Sequence, residues 1–174
     1  MRALVVYESM YGNTRDVATA IAEGVGRVAA VDLCEVGAAP TEVGEAIDLV
    51  VVGGPTHAFS MSRDGTRADA AKNEPNLRIV STGIGIREWL DRVRVLGSPG
   101  FATFDTKVIR PRLPGSAAGA ARKRVRHLGF ELVADPESFW VEGGPGPLTA
   151  GEAERAAAWG ESVARAAAGA DQRR

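Results

Sequence analysis

The chain has 174 residues, of which 45% are apolar and 25% charged, which is ordinary globular composition and long enough for one domain with a real core. Its 21 Lys and Arg against 22 Asp and Glu give a net charge of -1, so no basic excess across the domain points to nucleic acid. No charged and then apolar leader precedes the first apolar run, and no run approaches membrane-spanning length, so a cytoplasmic protein with no membrane span is expected. A lone Cys34 excludes an intrachain disulfide and a thiol-based metal cluster, and no metal site is expected.

Ala3 to Tyr7 is a short apolar, β-branched run that stops at polar residues and Gly12, after which a helical pattern begins. Strand, tight loop and helix follow in that order. Such a loop leaves the first N–H groups of the helix unpaired, and an anion fits there. Ser9 and Thr14 offer hydroxyls, Asn13 an amide, and Gly12 permits close approach or positive φ. Neither GxxxxGK[ST] nor GxGxxG is present, which leaves a monophosphate held by hydroxyls and backbone dipoles.

Val17, Ala20, Ile21 and Val25 recur at helical spacing and predict a helix from about Asn13 to Gly24. Residues 27–36 read as an edge strand, 37–40 as a break and 41–46 as a short helix. Residues 47–52 form a second apolar run, continuous enough for a central parallel strand buried on both faces. It opens into Gly53-Gly54-Pro55-Thr56-His57, a second loop at the same edge. Residues 60–82 are polar with little periodicity and read as a long loop, either lid or passive. Ile86, Leu90 and Val93 predict a helix over 84–95, with Trp89 as core or interface. Residues 101–106 are the next strand and its loop, and 117–128 a helix with Arg122, Lys123, Arg124 and Arg126 on a solvated face. Residues 130–133 and 138–141 make an interrupted last strand. Thr149 and Glu152 suggest a capping box before a final helix with Ala153, Ala156, Gly160, Val163 and Ala167 inward.

Five β-α alternations without a linker predict a single α/β domain over residues 1–170, with 171–174 a frayed tail. The expected sheet is doubly wound, parallel and five-stranded, in the order 2-1-3-4-5 with helices on both faces. Strands one and three then lie side by side, and the loops at 9–14 and 53–61 must meet.

Ser9-Met10-Tyr11-Gly12-Asn13-Thr14 resembles the phosphate loop of the flavodoxin family, and Gly53-Gly54-Pro55-Thr56 is similar to the Gly-x-Pro-Thr of its second loop. Ser9-Met10-Tyr11-Gly12 is also similar to the start of flavodoxin-like quinone reductases. The resemblance implies flavin mononucleotide (FMN) as cofactor, with Ser9, Met10, Tyr11, Gly12, Asn13 and Thr14 around its phosphate. Pro55, Thr56, His57, Ala58 and Phe59 would then pack near the flavin ring. Tyr11 departs from the family's preferred hydroxyl residue at its position, and Phe104-Asp105-Thr106-Lys107 departs from its acidic, aromatic third loop.

A bound ring needs aromatic or apolar faces, for which Phe59 and Phe104 are candidates, and polar groups at its edge, for which Asp105, Thr106 and Lys107 are candidates. Lys107, Arg63 or His57 would supply a cation, and His57 could instead act in catalysis by donating a proton. Near-zero net charge with Arg63, Arg67 and Lys107 in the ring loops favours a flavin-dependent oxidoreductase acting on a quinone-like or other small acceptor. The alternatives are a flavodoxin-type electron carrier serving a redox partner protein, and a flavin-free interaction domain of the same fold.

Overall fold

The structure, a computed structural model, describes residues 1–171. Its frame is a parallel sheet of β1 (Arg2–Tyr7), β2 (Ala30–Glu35), β4 (Leu49–Pro55), β6 (Gly100–Val108) and β7 (Glu137–Val141), in the spatial order β2-β1-β4-β6-β7. Counting only these strands, that is the expected 2-1-3-4-5. β1 and β4 carry unbroken apolar runs because helices cover both their faces.

Period-two alternation sorts the sheet's side chains into two cores. Ala3, Val5, Leu49, Val51, Ala102 and Phe104 face α1 (Asn13–Gly26) and α5 (Glu152–Asp171). Leu4, Val6, Val50, Val52 and Phe101 face α3 (Ile86–Arg92) and α4 (Ala117–His127). Fully burying one such Val, Leu or Phe contributes about 1.5–3 kcal/mol. The covering helices α1 and α5 pack with backbones in contact, because Gly24 lies against the carbonyl of Ala157 and Gly160 against that of Ile21.

Several expectations need correction. Residues 41–46 are not a helix: Glu42–Val43 forms β3, paired in parallel with β5 (Arg94–Val95), with Arg94 and Glu42 ion-paired and Val43 buried. The crossover from β2 to β4 therefore has only a 3-10 turn at Val36–Ala38 in place of an α-helix. The expected loop over 60–82 contains α2 (Asp64–Asn73), and the expected helix over 84–95 ends at Arg92. Trp89 is core, with its indole N–H donating to the Pro40 carbonyl at 3.0 Å.

Glu152 does not close a capping box, because its carboxylate accepts the Trp140 N–H at 2.7 Å and pairs with Arg155. The Thr149 hydroxyl has no hydrogen-bond partner among the described residues. Ala153 is exposed, while Ala156, Gly160, Val163 and Ala167 face inward as expected. Helix α5 reaches Asp171, and the rest of the expected tail lies outside the described residues.

Candidate functional site

At the carboxyl edge of β1 the chain turns through Gly12, which caps α1 at φ 103°, ψ -17°, without a capping side chain. A residue with a Cβ in that left-handed region costs about 1–2 kcal/mol, so glycine suits the position. The first bond of the helix is the Asp16 N–H to the Gly12 carbonyl at 3.0 Å. The N–H groups of Asn13, Thr14 and Arg15 precede it and need an acceptor from outside the helix. Ser9 Oγ accepts the Gly12 N–H at 3.1 Å, which leaves its own proton to donate. Thr14 Oγ1 lies 2.7 Å from Thr106 Oγ1, and a hydroxyl pair that shares one bond retains one proton for a third group.

The next segment braces this loop. The N–H groups of Val80 and Ser81 donate to the Met10 and Ser9 carbonyls at 2.9 and 2.8 Å, and Ser9 N–H donates to Ser81 Oγ at 2.9 Å.

The second loop leaves β4 at Pro55 and is fixed by the Thr56 N–H on the Thr106 carbonyl at 3.0 Å. His57 to Ser60 then forms a tight turn with both cross-bonds made, at 2.9 and 3.0 Å, and positive φ at Ala58 (45°) and Phe59 (70°). Two positive φ values in succession define a turn that favours Asn-Gly. Ala58→Asn combined with Phe59→Gly is expected to stabilise the protein by about 1–2 kcal/mol, seen as a rise of a few degrees in thermal unfolding. An unchanged or lower midpoint would show that the turn stores no strain.

The loops meet as expected, on a cavity of ≈ 330 Å³. Ser9, Met10, Tyr11, Asn13 and Thr14 line one side, and Pro55, Thr56, His57 and Ala58 another. Thr106 and Val108 of β6, Val141 and Gly144 close it further. So do Thr66, Asp69, Ala70 and Asn73 of α2, none of which the sequence reading foresaw. Helix α2 escaped notice because Arg67 is its one buried residue, so it has no apolar periodicity.

Other candidate side chains stand elsewhere. Phe104 is fully buried against Phe139 and Trp159 in edge contacts and does not reach the crevice. Strand β6 continues to Val108, so Asp105, Thr106 and Lys107 belong to a strand rather than a loop. Alternation then sends Thr106 to the crevice and its two neighbours to the opposite face.

There Asp105 is fully buried, with Oδ2 accepting the Ala118 N–H at 2.8 Å and the Thr56 hydroxyl at 3.0 Å; burial pushes its pKa up. Lys107 Nζ donates to the Leu113 and Gly115 carbonyls. Phe59 is 52% exposed on the outer side of its turn. Tyr11 lines the crevice, but its hydroxyl donates to the Ala70 carbonyl at 2.8 Å, and the Asn13 amide donates to the Pro145 carbonyl at 3.1 Å.

Of the four basic groups named for the ring loops, Lys107 and Arg67 are committed elsewhere and His57 is neutral. Arg67 is 8% exposed and bridges Asp64, Glu88 and the Ser62 hydroxyl, which in turn donates to the fully buried Glu8. Burial raises the Glu8 pKa despite bonds from Ser62 and the Ile86 N–H. His57 does line the crevice, yet burial, reinforced by the Arg67 charge, lowers its pKa, so the ring is predominantly neutral at pH 7. Arg63 begins α2, its N–H donating to Thr66 Oγ1 at 2.9 Å.

No protein-family model matches this chain, and no curated protein matches it in sequence. Solved structures do. A flavodoxin from the domain Archaea matches at TM-score 0.64 and 18% identity over 97% of this chain and 99% of that one. Oxidised flavodoxin 1 from Bacillus cereus matches at TM-score 0.65 and 14% identity, over 95% and 98%. Rubredoxin oxygen:oxidoreductase from Desulfovibrio gigas matches at TM-score 0.58 and 18% identity, over 97% of this chain but 36% of that one.

The chain has the flavodoxin fold, with its two Gly-bearing loops on one crevice. Its sequence stands well apart from these three structures, at 14–18% identity.

Proposed function

We propose that the crevice binds FMN and that the protein transfers electrons through it. The observation that carries this reading is the uncapped N-terminus of α1, flanked by the Ser9 and Thr14 hydroxyls, opening on the same cavity as Pro55 to Ala58. The donor set fits a phosphate: three unpaired N–H groups, a helix dipole and two hydroxyls, with no lysine or arginine among the lining residues. Bound FMN supplies reversible one- and two-electron redox chemistry. The chain's part is to hold the phosphate at Ser9 and Asn13 to Arg15, and to exclude water from the ring with Pro55, Ala58, Val108 and Val141.

Cavity size favours the electron carrier over an enzyme with a small acceptor. At ≈ 330 Å³ the crevice lies near the lower end of the roughly 300–1,000 Å³ of small-molecule sites, room for one ligand rather than a cofactor with a substrate stacked on it. One observation favours the small-acceptor reading, namely His57 at the crevice wall, a neutral imidazole able to accept a proton and return it.

FMN added to the purified protein is expected to lose its fluorescence at one equivalent. In the Ser9→Ala, Thr14→Ala double variant the affinity should fall about 100-fold, from two hydrogen bonds to a charged group at about 1.5 kcal/mol each. A protein that leaves FMN fluorescence untouched supports the flavin-free domain instead. Steady oxidation of a nicotinamide donor by a quinone, without an added reductase, supports the small-acceptor enzyme.

A further inference from the structure

Residues 107–127 hold seven Lys and Arg and no Asp or Glu; the rest of the chain, with the other 14 Lys and Arg and all 22 Asp and Glu, carries a formal charge of -8. The near-zero net charge therefore conceals a strongly basic segment. In the fold this segment lines one side of a groove of ≈ 780 Å³, into which Lys107, Lys123, Arg124 and His127 project and which Arg87 of α3 closes. Among the described residues, no acidic side chain lines it. Arg124 pairs with Asp91 at 2.8 Å, whereas Arg87 and Lys107 donate to uncharged oxygens and make no ion pair among the described residues.

The groove adjoins the cofactor crevice. His57 and Ala58 line the crevice and Phe59 and Ser60 line the groove, so one four-residue turn is their common wall. An anion docked in the groove stands across that turn from the crevice.

We propose that this groove and the adjoining face of α4 are the docking surface for the acidic face of a redox partner protein. The distribution of donors argues for a protein surface over a small phosphate ligand. A small anion needs convergent N–H groups, but Arg87 donates to the Ser62 and Met61 carbonyls at 3.1 and 2.8 Å, and Lys107 to the Leu113 and Gly115 carbonyls. These groups contribute field rather than coordination. Lys123 and Arg126 lie about one helical turn apart on α4, both exposed, and spread the charge along the helix instead of around a point. Such an array steers a partner from a distance, and long-range steering acts on any acidic surface. The purpose rests on the redox reading above, but the docking itself does not require a bound flavin.

The test has two arms. In the first, apoprotein is treated with carbodiimide in the presence of an acidic [2Fe–2S] ferredoxin as probe, and cross-links to Lys123 and Lys107 are expected and should vanish in 0.5 M salt. In the second, the reduced FMN-loaded protein is mixed with oxidised ferredoxin. Its bimolecular rate should fall about tenfold or more between low salt and 0.5 M salt, and by a similar factor in Lys123→Glu, Arg126→Glu, His127→Glu. Lys123→Gln with Arg126→Gln should give a smaller loss in the same direction, and serves if the triple variant does not fold.

FMN affinity should be the same in all variants. Cross-links absent or scattered over the surface, variants that leave the salt dependence unchanged, or a basic cytochrome c preferred over ferredoxin would each overturn the proposal. So would a single-stranded oligonucleotide or pyrophosphate that occupies the groove at micromolar concentration. Failure to bind FMN, with the cross-links present, would overturn the redox reading alone.

Discussion

Gly160→Leu is expected to lower the thermal midpoint by about 6–12 °C. A Cβ at Gly160 would enter the carbonyl of Ile21, and one at Gly24 the carbonyl of Ala157, so α5 and α1 touch backbone to backbone. A rotamer change cannot relieve such a clash; the helices must separate and open the core around Val17, Ile21 and Val163. Overpacking of this kind costs at least about 3 kcal/mol, and each kcal/mol is about 2–4 °C in a chain of this length. Gly169→Ala is the control: its Cβ would meet nothing within 4 Å, and its higher helix propensity should leave stability unchanged or raise it. A Gly160→Leu midpoint within a few degrees of the parent would mean that the helices are not held this close.

Arg67→Ala is expected to destabilise by about 3 kcal/mol at neutral pH, because it strips the cation from a cluster that contains the fully buried Glu8 and the half-buried Glu88. The loss depends on pH with a definite sign. Burial already raises the Glu8 pKa in the folded protein above its value in the unfolded chain, and Arg67 opposes that shift. A carboxyl with a raised folded pKa leaves stability intact below its unfolded pKa and costs stability as pH rises through the folded one.

Without Arg67 the Glu8 pKa moves further up, so the destabilisation should be smaller at pH 5 than at pH 8. Denaturant unfolding at the two pH values checks this, and an equal loss at both would exclude Glu8 as the cause. The His57 pKa, followed by NMR, should rise at the same time, since the Arg67 charge helps to lower it.

The sequence disclosed what depends on continuous or periodic apolar residues. Val50, Val51 and Val52 announced a central strand, and Gly12 between two polar stretches announced the turn into α1, because both patterns follow from local sterics and burial. Helix α2 was hidden, since its docking relies on Arg67 and on the Tyr11 hydroxyl rather than on an apolar stripe. The segment at 41–46 misled for a related reason. Val43 is buried by pairing with β5 some fifty residues away, which no local pattern records.

At the crevice, Thr106 lines the wall and Asp105 and Lys107 do not. Two-residue alternation separates them once the strand is known to run to Val108, but the sequence alone suggested an end at Thr106. Phe104 was credited to the crevice for its aromatic ring, though its side of the strand belongs to the core with Phe139 and Trp159.

Strand β2 ends the sheet on one side, with only β1 beside it. A row of unpaired backbone groups on such a margin invites the same margin of another molecule to join it, which is how fibrils start. Here the strand carries Asp32, paired with Arg2 at 2.9 Å, and Glu35, while Leu33 is partly exposed between them. Two molecules approaching margin to margin would bring these carboxylates together, so the acid residues of β2 act as gatekeepers against aggregation.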